Sequence, residues 1–239
     1  MLADLRTQGP GTFAAIGAVV AVATLALAAP GRAQVPAPAP APPPAANAVP
    51  GAAAPPSDGI DVTGKSPEQV MKELEQRADR SQAEHPASVR SEALKQEAVK
   101  AASSTLGNLK GDDRTAFAAS VYFGFWSVNT RTRPDMCAEQ GVGISPLTAQ
   151  IVRQHEPETA RARTLWRQQG VDEDATYRSM EPQLRRITEI DLQGIVAARK
   201  LDGLRQACEF LRDNAAQLAP HLTFARVQPD AQKVLMGAP

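Results

Sequence analysis

The chain has 239 residues and balances 26 Lys and Arg against 26 Asp and Glu. That neutrality leaves no net field to draw it toward nucleic acid or an anionic lipid surface, and the basic footprint of a nucleic-acid binder is missing. Apolar residues make up 43%, but alanine inflates the figure and the large side chains lie mainly after residue 105. The core therefore belongs to the C-terminal two-thirds.

Residues 1–33 read as an export signal. Arg6 precedes an uncharged apolar run over 13–29, and Gly31 and Ala33 supply the small side chains needed for cleavage after Ala33. The alternative is an uncleaved inner-membrane anchor. At about 1.5 Å per residue the run spans roughly 25 Å, short of a hydrocarbon core of about 30 Å. No cysteine lies near the cleavage region, which excludes a lipid-anchored precursor. The expected location is periplasmic or secreted, with this segment as the one membrane contact if it stays uncleaved.

Residues 34–65 follow as a Pro/Ala-rich linker. Proline lacks the N–H that a helix interior needs, and a stretch with almost no large side chains cannot bury a core. Its proline-rich part, 34–58, predicts either an extended spacer, at about 3.1 Å per residue roughly 75 Å long, or a disordered tail of no required length.

From residue 66 the sequence predicts an all-α domain over 66–224, an irregular bundle of six or seven helices, with 225–239 as a loose tail. Ser66-Pro67-Glu68-Gln69 combines a capping serine, a first-turn proline and a capping-box glutamine. That helix runs to about residue 84, where His85-Pro86 breaks it. A second, alanine-rich stripe covers 87–106. Asp112 or Asp113 then caps a central helix holding Phe117, Tyr122, Phe123, Phe125 and Trp126, half of the chain's six Phe, two Trp and two Tyr. Phe117, Val121, Phe125 and Val128 share one face, and the other aromatics make the helix apolar most of the way round, the pattern of a central buried helix. Arg133-Pro134 is expected to interrupt it.

Ser145-Pro146 opens another helix, which Pro157 divides from a piece ending at Gly170. Asp172-Glu173-Asp174 begins a long helix with an Arg185–Glu189 pair on its outer side; Pro182 fits if Ser179 is the true cap. Leu201, Leu204, Cys208, Leu211, Ala215 and Leu218 form the last stripe, which Pro220 closes. No alternating β-branched run long enough for a sheet appears.

Cys137 and Cys208 are the only cysteines. Behind an export signal the expected outcome is a disulfide, locking the aromatic helix to the final one. Two unpaired core thiols and a redox pair are the alternatives, the last without a C-x-x-C spacing.

Candidate chemistry is sparse. His85, His155 and His221 fall in no metal-ligand spacing, and read as helix-end or surface residues. The acidic run 172–174 offers either oxygen ligands for a hard cation or a favourable charge at a helix N-terminus. Arg163, Trp166 and Arg167 form a basic aromatic group able to contact an anion or a partner, or simply a solvated helix face; Arg131 and Arg133 read the same way. Phe123, Phe125 and Trp126 are candidates for an apolar pocket. No nucleophile motif and no glycine-rich phosphate loop is present, and no catalytic residue, cofactor or metal site is assigned. The expectation is an exported, non-catalytic helical interaction or structural module that binds an envelope protein through a helix face. The alternatives are a carboxylate-dependent envelope hydrolase and a carrier of small apolar ligands.

Overall fold

Ser66 starts the first helix through a reciprocal cap. Its hydroxyl accepts from the Gln69 amide at 3.2 Å, and Gln69 Oε1 accepts from the Ser66 amide at 2.8 Å. The computed structural model describes Val62, residues 65–84 and residues 90–237. The predicted signal segment, the His85-Pro86 break and all of the predicted linker except Val62 and Lys65 lie outside the described residues. Val62 is buried and joins the core.

Every regular element among the described residues is helical, so the described part of the chain is all-α. The order is α1 (Pro67–Glu84), α2 (Arg90–Asn108), α3 (Gly111–Ser127), a π turn (Val128–Thr132), α4 (Arg133–Glu139), α5 (Ser145–Gln154), α6 (Glu156–Gln168) and α7 (Glu173–Arg199). Then follow α8 (Leu204–Asp213), α9 (Ala215–Leu218), a 3-10 turn (Ala219–His221), α10 (Phe224–Val227) and α11 (Pro229–Met236). This exceeds six or seven helices because short pieces continue where the sequence suggested loops.

The aromatic helix α3 is buried along its whole length from Phe117 to Ser127. It begins at Gly111 behind Lys110, with no side-chain cap. Asp112 and Asp113 therefore lie inside its first turn, where they favour the helix dipole rather than cap it. At its far end Arg133-Pro134 does not interrupt the path. Pro134 lacks an N–H and would crowd the Thr130 carbonyl in an α-helix, and the wider π turn relieves that crowding. Asn129 Nδ2 donates to the Phe125 carbonyl and Thr130 Oγ1 to the Trp126 carbonyl, both at 2.8 Å, which satisfies the backbone through the transition.

The long helix α7 is capped by Asp172, whose Oδ1 accepts from the amides of Asp174 and Ala175 at 2.9 Å. Ser179 is not a cap; Pro182 sits inside the helix. Arg178 and Pro182 are both exposed, so water can serve the carbonyl left by the missing N–H. Arg185 pairs with Glu139 of α4 instead of Glu189. The helix stops at Lys200 in the left-handed region, and the Leu201 amide reaches back to the Val196 carbonyl at 2.9 Å.

The core has two apolar clusters. One gathers α1, α2, α3, α6, the first part of α7, α10 and α11. The other gathers Cys137, the 142–151 stretch, Leu192 and Ile195 of α7, α8, α9 and Leu222. Cys137 and Cys208 form a disulfide in the second cluster, Cα to Cα 5.5 Å. It joins α8, in the last predicted stripe, to α4 rather than to the aromatic helix α3 itself. The stretch 225–237 differs from a loose tail: Val227, Ala231 and Leu235 are fully buried, and α11 packs on α3, α2 and α6. No helix among the described residues is long and apolar enough to cross a membrane.

Leu235 is 0% exposed and Met236 41%. Leu235→Ala should cost about 2–5 kcal/mol in urea denaturation, and Met236→Ala under about 0.5 kcal/mol; equal effects would mean that α11 does not close the core. Replacing both cysteines by serine opens a separation of 71 residues. The expected loss is about 2–4 kcal/mol, with roughly 4 as the chain-entropy ceiling, read from the same denaturation midpoints.

Candidate functional site

The basic aromatic group separates in three dimensions. Trp166 is 1% exposed, its indole N–H donates to the Ala119 carbonyl at 3.3 Å, and its ring meets that of Phe123 edge-on at 5.2 Å. Arg163 and Arg167 lie at the surface. Arg163 pairs with Glu173 at 3.4 Å, and Arg167 turns to Thr164 of its own helix. The rest of the acidic run is engaged as well: Asp172 caps α7, and Asp174 pairs with Arg131 at 2.7 Å, while the Arg131 guanidinium also lies over the Tyr177 ring. The amides it accepts hold the Asp172 carboxyl below its usual range. No group of three or more His, Cys, Asp or Glu that could hold a metal ion occurs among the described residues.

Phe123, Phe125 and Trp126 are all buried, and each faces a different neighbour. Phe123 faces Trp166, Phe125 contacts His155 at 5.0 Å and Phe224 at 5.4 Å, and Trp126 stacks near Tyr122 at 6.2 Å. Their faces are occupied by other rings of the core.

A buried polar layer lies between the two apolar clusters. On α7, Ile190 belongs to the first cluster and Leu192 to the second, with Asp191 between them. On the α3–α4 path, Val128 belongs to the first and Cys137 to the second, with Asn129 and Arg133 between. Arg133 is 1% exposed and Asp191 3%. A guanidinium nitrogen of Arg133 meets Asp191 Oδ2 at 2.7 Å, and another donates to Asn129 Oδ1. Burial pushes the Asp191 carboxyl up, and Arg133 opposes that push. Arg133 is thus no surface anion contact. Its signal in the sequence was the i,i+4 spacing of Asn129 and Arg133 on the buried helix, together with a lone Asp in the apolar run around Ile190 and Leu192.

His155 crosses the same layer between α5 and α6. It is 1% exposed, so it is a helix-end residue but not a surface one. Its Nδ1 lies 2.9 Å from the Ile151 carbonyl, and its Nε2 accepts from the Phe224 amide at 3.0 Å. Its own carbonyl accepts from Thr159 Oγ1 at 2.7 Å and from the Tyr122 hydroxyl at 3.3 Å.

The surface offers a groove where three helices meet. Ser103, Leu106 and Gly107 of α2 form one side, and Arg114 of α3 stands at the end. Asp230, Lys233 and Val234 of α11 close the other side, around a volume of about 280 Å³. Ser103 donates to Asp230 Oδ2 at 2.7 Å, which holds the one carboxylate of the lining. Leu106 and Val234 give an apolar floor, and Arg114 and Lys233 leave the rim positive. No motif in the sequence marks this site, because three of its seven lining residues come from the stretch read as a loose tail.

Compared with protein-family models, with curated proteins and with solved structures, the chain matches none of them.

Asp191→Ala would leave Arg133 charged and buried without its carboxylate. The expected cost is about 3–5 kcal/mol in urea denaturation. A double replacement, Arg133→Met with Asp191→Leu, should recover most of it, because the buried charge is then gone.

Proposed function

We propose that the protein is an exported, non-catalytic interaction module of the bacterial envelope that takes an acidic side chain of a protein partner into the groove between α2, α3 and α11. The observation that carries this reading is the lining: two cations over an apolar floor, with the single carboxylate turned to a serine. A glutamate or aspartate of the partner would lay its stem on Leu106 and Val234 and its carboxylate against Arg114 and Lys233. The volume lies just below the range of about 300–1,000 Å³ typical of small-molecule pockets and suits one anchoring side chain. The predicted signal at 1–33 supports the envelope location, and the linker at 34–65 supports a domain held at a distance from its attachment.

Gly107 provides a probe position, since a Cβ added there meets nothing within 4 Å. With a photo-reactive side chain at 107 in native cells, irradiation should join the domain to another protein. The adduct should disappear in the double variant Arg114→Glu and Lys233→Glu, and persist in Arg153→Glu, an exposed control on α5. Adducts only between copies of the chain, or adducts indifferent to the charge reversal, would overturn the reading.

A further inference from the structure

The hydrogen bond between His155 and Phe224 is a contact that tolerates only one protonation state. The Phe224 amide can only donate, so Nε2 must carry a lone pair. The Ile151 carbonyl can only accept, so the proton of the neutral ring is on Nδ1. A second proton would place two buried donors 3.0 Å apart and aimed at each other.

That amide opens the C-terminal segment of the fold. Phe224 anchors it through ring contacts to Tyr122 at 5.0 Å and Phe125 at 5.4 Å. The adjacent Gln154 Nε2 bonds the carbonyls of Ala219 and Leu222 at 2.9 and 3.0 Å. Five residues after Phe224 the chain enters α11, which is held at its end by Arg161 Nε on the Leu235 carbonyl at 3.3 Å. The segment 224–236 is therefore stitched to the α5–α6 junction at one end and to α6 at the other.

We infer that His155 is a proton-sensitive latch, closed when its ring is neutral and opened by acid, which releases residues 224–236 from the aromatic helix. The groups around it set its direction. Burial holds the imidazole below its ordinary 6.5, while the nearby Glu158 carboxylate on α6 raises it. Tyr122 on α3 stays neutral, since burial pushes its phenol up. His221, ahead of α10, and Arg226 within it contact each other at the exposed side. The open and unfolded states bind the proton first, so the latch is fully effective above 6.5 and is lost as pH falls from there toward the lowered value. Between those limits the open population rises about tenfold per pH unit. Because α11 supplies Asp230, Lys233 and Val234, opening would also dismantle one wall of the groove; this consequence alone rests on the function proposed above.

Hydrogen exchange read by mass spectrometry, corrected for intrinsic rates, tests the latch at about pH 7.5 and about pH 5, across the range where histidine titrates. Residues 224–236 should lose protection at the lower pH while residues 184–195 of α7 keep theirs. His155→Gln, which can present a carbonyl to the Phe224 amide and cannot be protonated, should make the segment indifferent to pH; His221→Asn should leave the response intact. Unchanged protection of 224–236, loss in step with 184–195, or the same response in H155Q would overturn the inference. If H155Q does not fold, nitrogen shifts of the His155 ring in the native protein decide: Nε2 must carry a lone pair at the higher pH and gain its proton together with movement of the Phe224 amide. A latch that opens while crosslinking from position 107 stays constant would overturn the groove reading and leave the latch standing.

Discussion

A helix that is apolar on every side must be enclosed on every side, and α3 imposes that demand on the rest of the domain. From Phe117 to Ser127 no residue of it is exposed. α2, α6, α7 and α11 all pack on it, and Phe224 of α10 closes on Tyr122 and Phe125. Aromatic side chains bury roughly 150–250 Å² each, so a gap at any of these positions would expose a large area to water. The C-terminal helices are needed as cover. The surface they hide holds them, more than strong helix signals of their own.

Enclosure creates a second demand. Continuing the same helical path past Ser127 carries Asn129 and Arg133 into the interior, and a guanidinium there is tolerable only against an anion with its other bonds met. Asp191 supplies the anion from the middle of α7, and Asn129 supplies a further acceptor. Such a pair adds little net stability over well-packed apolar side chains, yet it is lost if α7 slides by one turn against the π turn. The two apolar clusters on either side carry no such directional requirement, since apolar contact is non-directional. Register is where the polar layer differs from its surroundings, and His155 acts alike where α5 meets α6.

Legibility followed the range of the interaction. The all-α class, the Ser66 cap, the central aromatic helix and the Gly170 stop were readable because each depends on neighbours a few residues apart. The disulfide was readable from the predicted export signal and the cysteine count rather than from geometry. Arg133 looked like a surface residue because its partner is 58 positions away, and Trp166 looked exposed because its flanking arginines are. The stretch after Phe224 looked loose for the same reason. Its fully buried residues, Val227, Ala231 and Leu235, are few and spaced by four, and only the helices it packs on give that spacing a meaning.

The parts of the structure invisible in the sequence are those on which the proposed function rests. The groove forms only when α11 lies beside α2 and the start of α3, so its chemistry belongs to a tertiary contact rather than to a motif. The segment that completes it, 224–236, is tied down by a few named hydrogen bonds and begins at an amide held by a histidine. A wall made of a short helix is easier to withdraw than one made of the long α7, because short helices draw their stability from packing and keep little when it is removed. A site on such a wall is sensitive to whatever controls the packing. Here that control reduces to a single proton on a ring between α5 and α6.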